Sequence, residues 1–537
     1  MVKTKSVAVF LYLILTMILV MVPNPLEAKK KVAEGFVFED LNRNGFMDSG
    51  EPGIASVVVS NQVDVVQTNE RGQFRLPVGD ASIIFISKPA GYNTPLDENN
   101  LPRFYYIHQP AGSPTDLAFK GIEPTGKLPS KLFFPLWQGE IRDTFNAIVV
   151  GDPQTKNKQE VGFYRDQVVT GMLGANADFY LDLGDIMYDD LSLYPAMNKV
   201  LARVGIPIYH VQGNHDMNFQ ALDYTHQAET FKRFYGPDYY SFNYGKVHFV
   251  VLNTVKYEGW DPVAKKKRTE YGYTGGIHAQ QLTWLQRDLA LVPADHLVVL
   301  AMHIPPASKV ELDDTTSTII ANRQELFKLL ENRTTLLALS GHMHFVEYLE
   351  LTEQDGWHGK VVFPTLTAGS GCGTWWHGPK DAWGLPLGIG TDGSPNGFFR
   401  FTFTGDQFKY RFVPSGTCPS EQMRINSPRG TLSRQELSTR RINVNVFAGT
   451  PRTRVSFQLD QNPAVNMEQK IMADPFYAQL ILDNPSLYTD WMTPTPCAHI
   501  WEAPLPMDLT AGIHRLDITV TDSEGDVFTA YQLFEVQ

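Results

Sequence analysis

Two histidines one residue apart follow an apolar run near the middle of the chain. The run Leu336 to Leu339 ends in Ser-Gly, and His342 and His344 come next. A short buried strand that ends in Gly-His-x-His would present both imidazoles at one edge of a sheet. Neutral imidazoles at this spacing suit a pair of metal ions, whereas two histidines in a surface turn are the plain alternative. The choice depends on whether the chain supplies further ligands.

Four other apolar runs also end in side chains that can bind metal. Their segments are Gly151-Asp152-Pro153-Gln154, Gly184-Asp185-Ile186-Met187-Tyr188, Gly213-Asn214-His215-Asp216 and Met302-His303. In four of the five segments a glycine comes just before the polar residues, which lets backbone and ligand approach closely. Ligands bind where loops leave the strand ends of an α/β sheet, so we expect the five segments to converge.

The pattern of apolar and polar residues differs between regions of the chain. From about residue 145 to 412, apolar runs alternate with helical patterns, which predicts an α/β core. Residues 33–125 contain short apolar runs separated by Gly, Asn and Pro, which predicts a small β domain. The stretch 124–135 contains several prolines and predicts a linker. From about residue 427 the pattern has period two, which predicts a C-terminal β-sandwich. The predicted domains are therefore 33–125, 140–415 and 427–537, after a segment 1–28.

In their order, the five segments resemble the signature of the calcineurin-like metallophosphoesterases: D-x-[HQ], G-D-x-x-[DY], G-N-H-[DE], a lone His and G-H-x-H. The resemblance covers about residues 145 to 412. With the flanking β domains, the whole is similar to an exported bacterial branch of that family. This resemblance implies a central four-layer α/β/β/α sandwich that is flanked by N- and C-terminal β domains, of which the N-terminal domain is immunoglobulin-like.

The resemblance also implies roles for the residues of the five segments. One metal would be held by Asp152, Gln154, Asp185 and His344, and the other by Asp185, Asn214, His303 and His342. His215 would give a proton or hydrogen bond to the leaving oxygen, and Asp216 would fix its tautomer and orientation.

Two divalent ions suit a phosphate ester because they neutralise its charge and lower the pKa of a bridging water, which gives a hydroxide nucleophile at neutral pH. The expected activity is hydrolysis of a small phosphate mono- or diester. Gln154 stands where many family members carry histidine, and its neutral carbonyl oxygen would favour Mg, Mn or Fe, with Zn also open. Tyr188 falls where purple acid phosphatases carry a metal-bound tyrosinate, although a packing role is the commoner one.

Two further features carry hypotheses. The loop Asp40 to Glu51 fits D-x-[DN]-x-[DN]-G-x5-E, and its candidate calcium ligands are Asp40, Asn42, Asn44, Asp48 and Glu51. The alternative is a turn without metal. Trp375 and Trp376, in a glycine-rich loop, could stack on a substrate ring or pack in the core.

The composition limits partners and location. A net charge of -12 disfavours duplex nucleic acid, which requires a positive face. Two lysines, an apolar run and Leu26-Glu27-Ala28 predict a signal peptide and a periplasmic or extracellular protein without a later membrane span, while an uncleaved anchor is the alternative. The rival function is a non-catalytic surface or carbohydrate-binding protein that uses its β domains.

Overall fold

The computed structural model describes residues 31–310 and 315–537. The predicted signal peptide, residues 1–28, lies outside the described residues. Within them, no helix is long and apolar enough to cross a membrane. The three cysteines, Cys372, Cys418 and Cys497, are all free thiols.

The N-terminal β domain consists of two four-stranded sheets, one with mixed pairing and one with antiparallel pairing. Their strand orders are β4-β1-β8-β6 and β3-β2-β5-β7, with strands β1 (Lys31–Glu39), β2 (Val58–Ser60), β3 (Val65–Gln67), β4 (Gln73–Val78), β5 (Ser82–Ile86), β6 (Tyr92–Asn93), β7 (Tyr105–His108) and β8 (Leu132–Gln138). Strand β8 begins inside the stretch predicted as a linker and pairs in parallel with β1. It forms a strand because Leu132, Phe134 and Leu136 alternate into the core, and this burial outweighs the proline at position 135.

The central region contains two sheets that face each other. The strands are β9 (Thr144–Val150), β10 (Phe179–Asp182), β11 (Ile208–His210), β12 (Tyr240–Tyr244), β13 (Val247–Leu252), β14 (Val255–Tyr257), β15 (Trp260–Asp261), β16 (Lys266–Lys267), β17 (Tyr273–Gly275), β18 (Leu297–Met302), β19 (Leu336–Ser340), β20 (Val346–Leu351), β21 (Phe363–Ala368), β22 (Gly397–Thr404) and β23 (Gln407–Pro414). One sheet has the order β11-β10-β9-β22-β23, and the other has the order β12-β13-β18-β19-β21-β20. Strands β9, β10 and β11 run parallel, as do β13, β18, β19 and β21.

Helices cover the outer faces of these two sheets. The helices of this region are α1 (Lys158–Tyr164), α2 (Thr170–Met172), α3 (Tyr194–Leu201), α4 (Tyr224–Gln227), α5 (Glu229–Tyr235), α6 (Ala279–Leu289) and α7 (Arg323–Leu330). Strand β9 shows how the layers are built, because Ala147 and Val149 pack between the sheets while Ile148 and Val150 pack against the helices α1 to α3. Helices α6 and α7 cover the second sheet. The predicted four-layer α/β/β/α fold is confirmed.

The C-terminal β domain packs two sheets around a core of its own. The sheet orders are β24-β26-β30-β29 and β25-β32-β31-β27-β28, with helix α8 (Pro475–Asp483) and strands β24 (Met423–Ser427), β25 (Gly430–Leu432), β26 (Arg441–Val446), β27 (Arg454–Leu459), β28 (Val465–Asn466), β29 (Glu468–Ala473), β30 (Pro496–Pro504), β31 (Gly512–Thr521) and β32 (Val527–Val536). The period-two pattern of β31 buries alternate residues such as Leu516 and Ile518 in that core.

Candidate metal centre

The five predicted segments leave the carboxyl ends of five strands and meet at one place. They follow β9, β10, β11, β18 and β19. The parallel strands of each sheet put these ends along the same edge, and the two sheets face each other, so side chains separated by up to 192 positions come together (Asp152 to His344).

Asp185 lies at the centre of the cluster. Its Oδ1 is 3.3 Å from Nε2 of His303, and its Oδ2 accepts a 3.1 Å hydrogen bond from the side-chain amide of Gln154. The two oxygens of one carboxylate thus face the two predicted sets of ligands. Asp185 is 1% exposed, so burial alone would raise its pKa, but the neighbouring charges of His303 and His215 hold that pKa well below its usual value.

The set on the Oδ1 side contains His303, Asn214 and His342. Nε2 of His303 is 2.9 Å from Oδ1 of Asn214 and 3.1 Å from Nδ1 of His342. Ligand atoms of Asp185, His303 and His342 all lie within 4.8 Å of one another. Three donors at such separations are typical of a divalent metal site.

The set on the other side contains Asp152, Gln154 and His344. Nε2 of His344 is 3.6 Å from Oδ1 of Asp152. That Oδ1 is buried and has no hydrogen-bond partner among the described residues, although a buried carboxylate oxygen normally has one. The Oε1 of Gln154 faces Sγ of Cys372 at 3.9 Å, and a half-turn of the amide would direct this oxygen toward Asp185. A cation at this position would satisfy the Asp152 oxygen, so the residues fit a metal ion.

The backbone of the ligand loops is folded into conformations that side chains rarely adopt. The left-handed residues among the predicted ligands are Asp152, Gln154, Asp185, His342 and His344, with φ between +39° and +70°. Each costs on the order of 1–2 kcal/mol. Such strain persists only where surrounding structure imposes it, and it clusters at functional sites.

Two glycines permit the close approach of these loops. A Cβ at position 213 would lie 2.1 Å from Oδ1 of Asp185, and one at position 341 would lie 2.5 Å from Oδ2 of Asp152. Only glycine therefore fits at these two positions without moving a predicted ligand.

The charge state of the histidines differs within the cluster. Burial lowers the pKa of both His342 and His344 to about 3, so both imidazoles are neutral, which is the form that binds a metal. Burial also opposes the charge on His303, but Asp185 outweighs it and raises the pKa of His303 to about 9. Its Nδ1 donates to the carbonyl oxygen of Leu183 at 2.8 Å, which leaves Nε2 facing the site.

His215 borders the cluster but has a different partner from the predicted one. Its Nδ1 lies 2.7 Å from Oδ1 of Asp189, and its Nε2 lies 4.0 Å from Oδ2 of Asp185. Asp216 instead accepts hydrogen bonds from the backbone N–H groups of Gly213, Ile186 and Met187 and from the hydroxyl of Tyr194. The expectation that Asp216 orients the His215 ring is therefore wrong, because its carboxylate is turned into the loop. Asp189, which follows Tyr188 directly, is the carboxylate that sequence reasoning missed.

The predicted aromatic residues separate into three environments. The Tyr188 ring stacks on His215, with centroids 4.5 Å apart and planes 20° apart, and its role as a metal ligand stays a prediction. Trp375 stacks on His344 at 4.2 Å and 20°. Trp376 is 5% exposed, packs against Tyr164 and donates from Nε1 to a backbone oxygen at 3.1 Å. Trp376 therefore packs in the core, which is the second of the two alternatives that the sequence left open for this residue.

The loop Asp40 to Glu51 is folded around its own acidic residues. Asp40 accepts from the backbone N–H groups of Asn44 and Gly45, and Glu51 accepts from those of Leu41 and Asp48. The side-chain amides of Asn42 and Asn44 both donate to Oδ2 of Asp48 at 2.8 Å. The five candidate calcium ligands are thus gathered in one loop on the N-terminal domain, and calcium binding stays a prediction.

Comparisons with known proteins cover most of the chain. Residues 145–346 match the model of the calcineurin-like phosphoesterases, residues 41–123 match the model of their N-terminal region, and residues 366–528 match that of their C-terminal region. No protein of curated function matches the chain in sequence.

Three solved structures are among those similar to this chain. A dimetal phosphatase from Danio rerio is 15% identical over 50% of this chain and 97% of its own, with a TM-score of 0.36. A purple acid phosphatase from yellow lupin (Lupinus luteus) seeds is 11% identical over 90% of this chain and 70% of its own, with a TM-score of 0.31. A protein from Thermus thermophilus is 13% identical over 50% of this chain and 99% of its own, with a TM-score of 0.28. These scores are too low to support an inference about activity.

The family models agree with the geometry of the cluster, because the central match spans the loops that carry all the predicted ligands. The chain belongs to the calcineurin-like phosphoesterase family and is a metal-dependent phosphoric ester hydrolase.

Proposed function

We propose that the protein is an exported enzyme that hydrolyses a small phosphate mono- or diester at a two-metal centre, with hydroxide as the nucleophile. The observation that carries this proposal is the position of Asp185, whose two carboxylate oxygens face two separate sets of donors. A single carboxylate so placed suits the shared ligand of two cations.

The residues that would hold the ions follow from this geometry. Asp152, Gln154, Asp185 and His344 would hold one ion, and Asp185, Asn214, His303 and His342 would hold the other. When bound, two divalent ions would neutralise the charge of the ester and supply hydroxide at neutral pH. The mixed oxygen and nitrogen donors suit Mn, Mg, Fe or Zn.

The remaining chemistry belongs to His215. Burial lowers the pKa of His215, but the carboxylates of Asp185 and Asp189 outweigh burial and raise this pKa. The protonated ring is therefore favoured. Asp189 holds Nδ1, so Nε2 is the atom free to face the site and to protonate a leaving oxygen. The side chain of His215 is 21% exposed, which leaves room for a substrate to reach it.

The support for an exported protein comes from the sequence of residues 1–28, with its lysines, apolar run and Leu-Glu-Ala end. The rival function, a non-catalytic surface protein, has less support. Such a protein would have no reason to keep a complete set of donors in strained backbone at one place.

Purified protein loaded with Mn2+ should hydrolyse p-nitrophenyl phosphate or bis(p-nitrophenyl) phosphate. Asp185→Asn and His303→Ala should lose the activity and at least one bound Mn2+, because each removes a ligand. His215→Ala should lower kcat by about 100-fold and keep the Mn2+, since general acid catalysis contributes about 10²–10⁴-fold. His226→Ala is the control, because His226 is paired with Asp223 outside the site. Full activity of Asp185→Asn would refute the proposed centre.

A further inference from the structure

Three aromatic rings form a stack that runs from a predicted metal ligand to solvent. The rings are His344, Trp375 and Trp491. Trp375 lies nearly parallel to His344, with centroids 4.2 Å apart, and Trp491 meets Trp375 at 4.4 Å and 77°. His344 is 4% exposed, whereas Trp491 is 53% exposed. The outermost ring of the stack therefore comes from the C-terminal β domain.

The segment that carries Trp491 is fixed to the catalytic domain. Thr374, next to Trp375, donates to the hydroxyl of Tyr477 at 3.1 Å, and that hydroxyl donates to the carbonyl oxygen of Met492 at 3.4 Å. Met492 is 1% exposed, and the N–H of Thr495 donates to the carbonyl oxygen of Thr391 at 2.9 Å. The residue after Trp491 is thus anchored and buried, while the indole itself stays in solvent. The anchored segment therefore holds an exposed indole in contact with Trp375, where a ligand can reach it.

The geometry of the last contact leaves a ring face of Trp491 open. A nearly perpendicular pair uses the edge of one ring and the face of the other, so at most one face of Trp491 is covered by Trp375. Trp375 is less available, because one of its faces lies on His344. Of the two, Trp491 is therefore the ring that a bound molecule at the metal centre could stack on.

We propose that Trp491 is a specificity-determining residue that stacks on the organic part of the ester, so that the enzyme prefers phosphate esters of ring-bearing alcohols. The proposal rests on the proposed function for the position of the phosphate. An indole face attracts flat aromatic rings and the apolar faces of sugar rings, but it offers little to an acyclic polar alcohol.

Binding of non-hydrolysable ligands tests this without turnover. Calorimetry would measure phenylphosphonate and methylphosphonate binding to the Mn2+-loaded full chain. The wild type should bind phenylphosphonate more tightly by about tenfold, since stacking on an aromatic side chain is worth about 1–3 kcal/mol. Trp491→Ala should lose this preference, Trp491→Phe should keep most of it, and Trp383→Ala should keep all of it, because Trp383 is another exposed tryptophan, at 84%.

Steady-state kinetics, with phosphate release as the readout, would show which kind of substrate ring stacks on Trp491. Trp491→Ala should raise KM for p-nitrophenyl phosphate, for glucose 6-phosphate or for both, and leave KM for glycerol 2-phosphate and the Mn2+ content unchanged. Equal changes for all three esters, or a loss of Mn2+, would mean that Trp491 only supports His344 and would overturn the proposal. A wild type that shows the phenylphosphonate preference but hydrolyses no ester would refute the proposed function and leave this inference standing.

Discussion

At the scale of single residues, Asp189 makes the contact with His215 that was expected of Asp216, and Asp216 holds the neighbouring loops instead. The Asp216 carboxylate, fully buried, accepts from three backbone N–H groups and one hydroxyl, so it fixes the loops that carry Asp185 and His215. Asp189 is in contact with Nδ1 of His215 and can hold its tautomer. The structural task and the orienting task therefore belong to different residues.

Substitution of each carboxylate by the amide separates the two tasks. Asp216→Asn places an NH2 group among donors, and we expect the free energy of unfolding to fall by about 1–3 kcal/mol, the cost of buried unsatisfied groups. Asp189→Asn should keep the melting temperature and the bound Mn2+ but lower kcat by about tenfold or more, as the loss of a supporting hydrogen bond does in other sites. Thermal melts and kcat measurements would check both. A normal kcat in Asp189→Asn would contradict the orienting role.

Residue types and spacing predicted which side chains meet at the centre but not their supporting contacts. Gly-Asp, Gly-Asn-His and Gly-His-x-His identify donors because metals require those atoms at the ends of strands. The partner of His215 depends on the path of the loop after Asp185, where two adjacent residues reach the ring from different directions: Tyr188 stacks on its face and Asp189 contacts its Nδ1. Local sequence does not specify such directions, because the φ of Asp189 is +66°, outside the conformations that side chains usually adopt.

At the scale of elements, the loop from Asp40 to Glu51 is the feature most suited to a direct test. Its backbone N–H groups already hold Asp40 and Glu51 in place, and the amides of Asn42 and Asn44 converge on Asp48. A calcium ion would use the oxygens of these side chains and remove the need for the amide contacts.

Calcium should therefore raise the melting temperature of the protein at a concentration that leaves activity with Mn2+ unchanged. Binding to the folded state alone stabilises it by mass action. Asp48→Ala should abolish the shift, and Asp80→Ala, at an exposed site paired with Lys31, is the control. Scanning calorimetry with and without Ca2+ would measure it, and an equal shift in wild type and Asp48→Ala would exclude this loop.

The contact between the catalytic and C-terminal domains contains a buried ion pair. Nε2 of His499 is 3.1 Å from Oδ2 of Asp392, and the same oxygen accepts from the N–H of Val346, two residues after His344. Burial opposes the charge on His499, but Cys497 and Asp392 outweigh it and raise the pKa well above the usual value. Burial likewise opposes the charge on Asp392, but His499 lowers its pKa.

Stability should depend on pH through His499. A histidine whose pKa is raised by folding contributes its full stabilisation below the unfolded pKa of about 6.5, and that contribution is lost as pH rises through the folded value. The difference in melting temperature between wild type and His499→Gln should accordingly be largest near pH 6 and shrink in alkaline buffer. His226→Gln, at a surface pair, should show no such trend. A difference that grows with pH would contradict the assignment.

At the scale of the whole molecule, the order of the domains follows from hydropathy patterns, whereas their contacts do not. Alternating apolar runs and helices predicted the two central sheets, because parallel strands require helical crossovers. Strand β8 was missed because it contains Pro135, and its partner β1 lies about a hundred positions earlier. The approach of Trp491 to Trp375 could not be predicted either, since it depends on how two separately folded domains dock.

Donors from five strand ends converge on Asp185, and we propose that they hold two cations there. The most direct test is the number of Mn2+ ions bound per chain, measured by elemental analysis after reconstitution and removal of free metal. We expect about two ions in the wild type and at most one in Asp185→Asn, because that carboxylate would serve both positions. A wild type that binds none, or an Asp185→Asn chain that still binds two, would contradict this proposal.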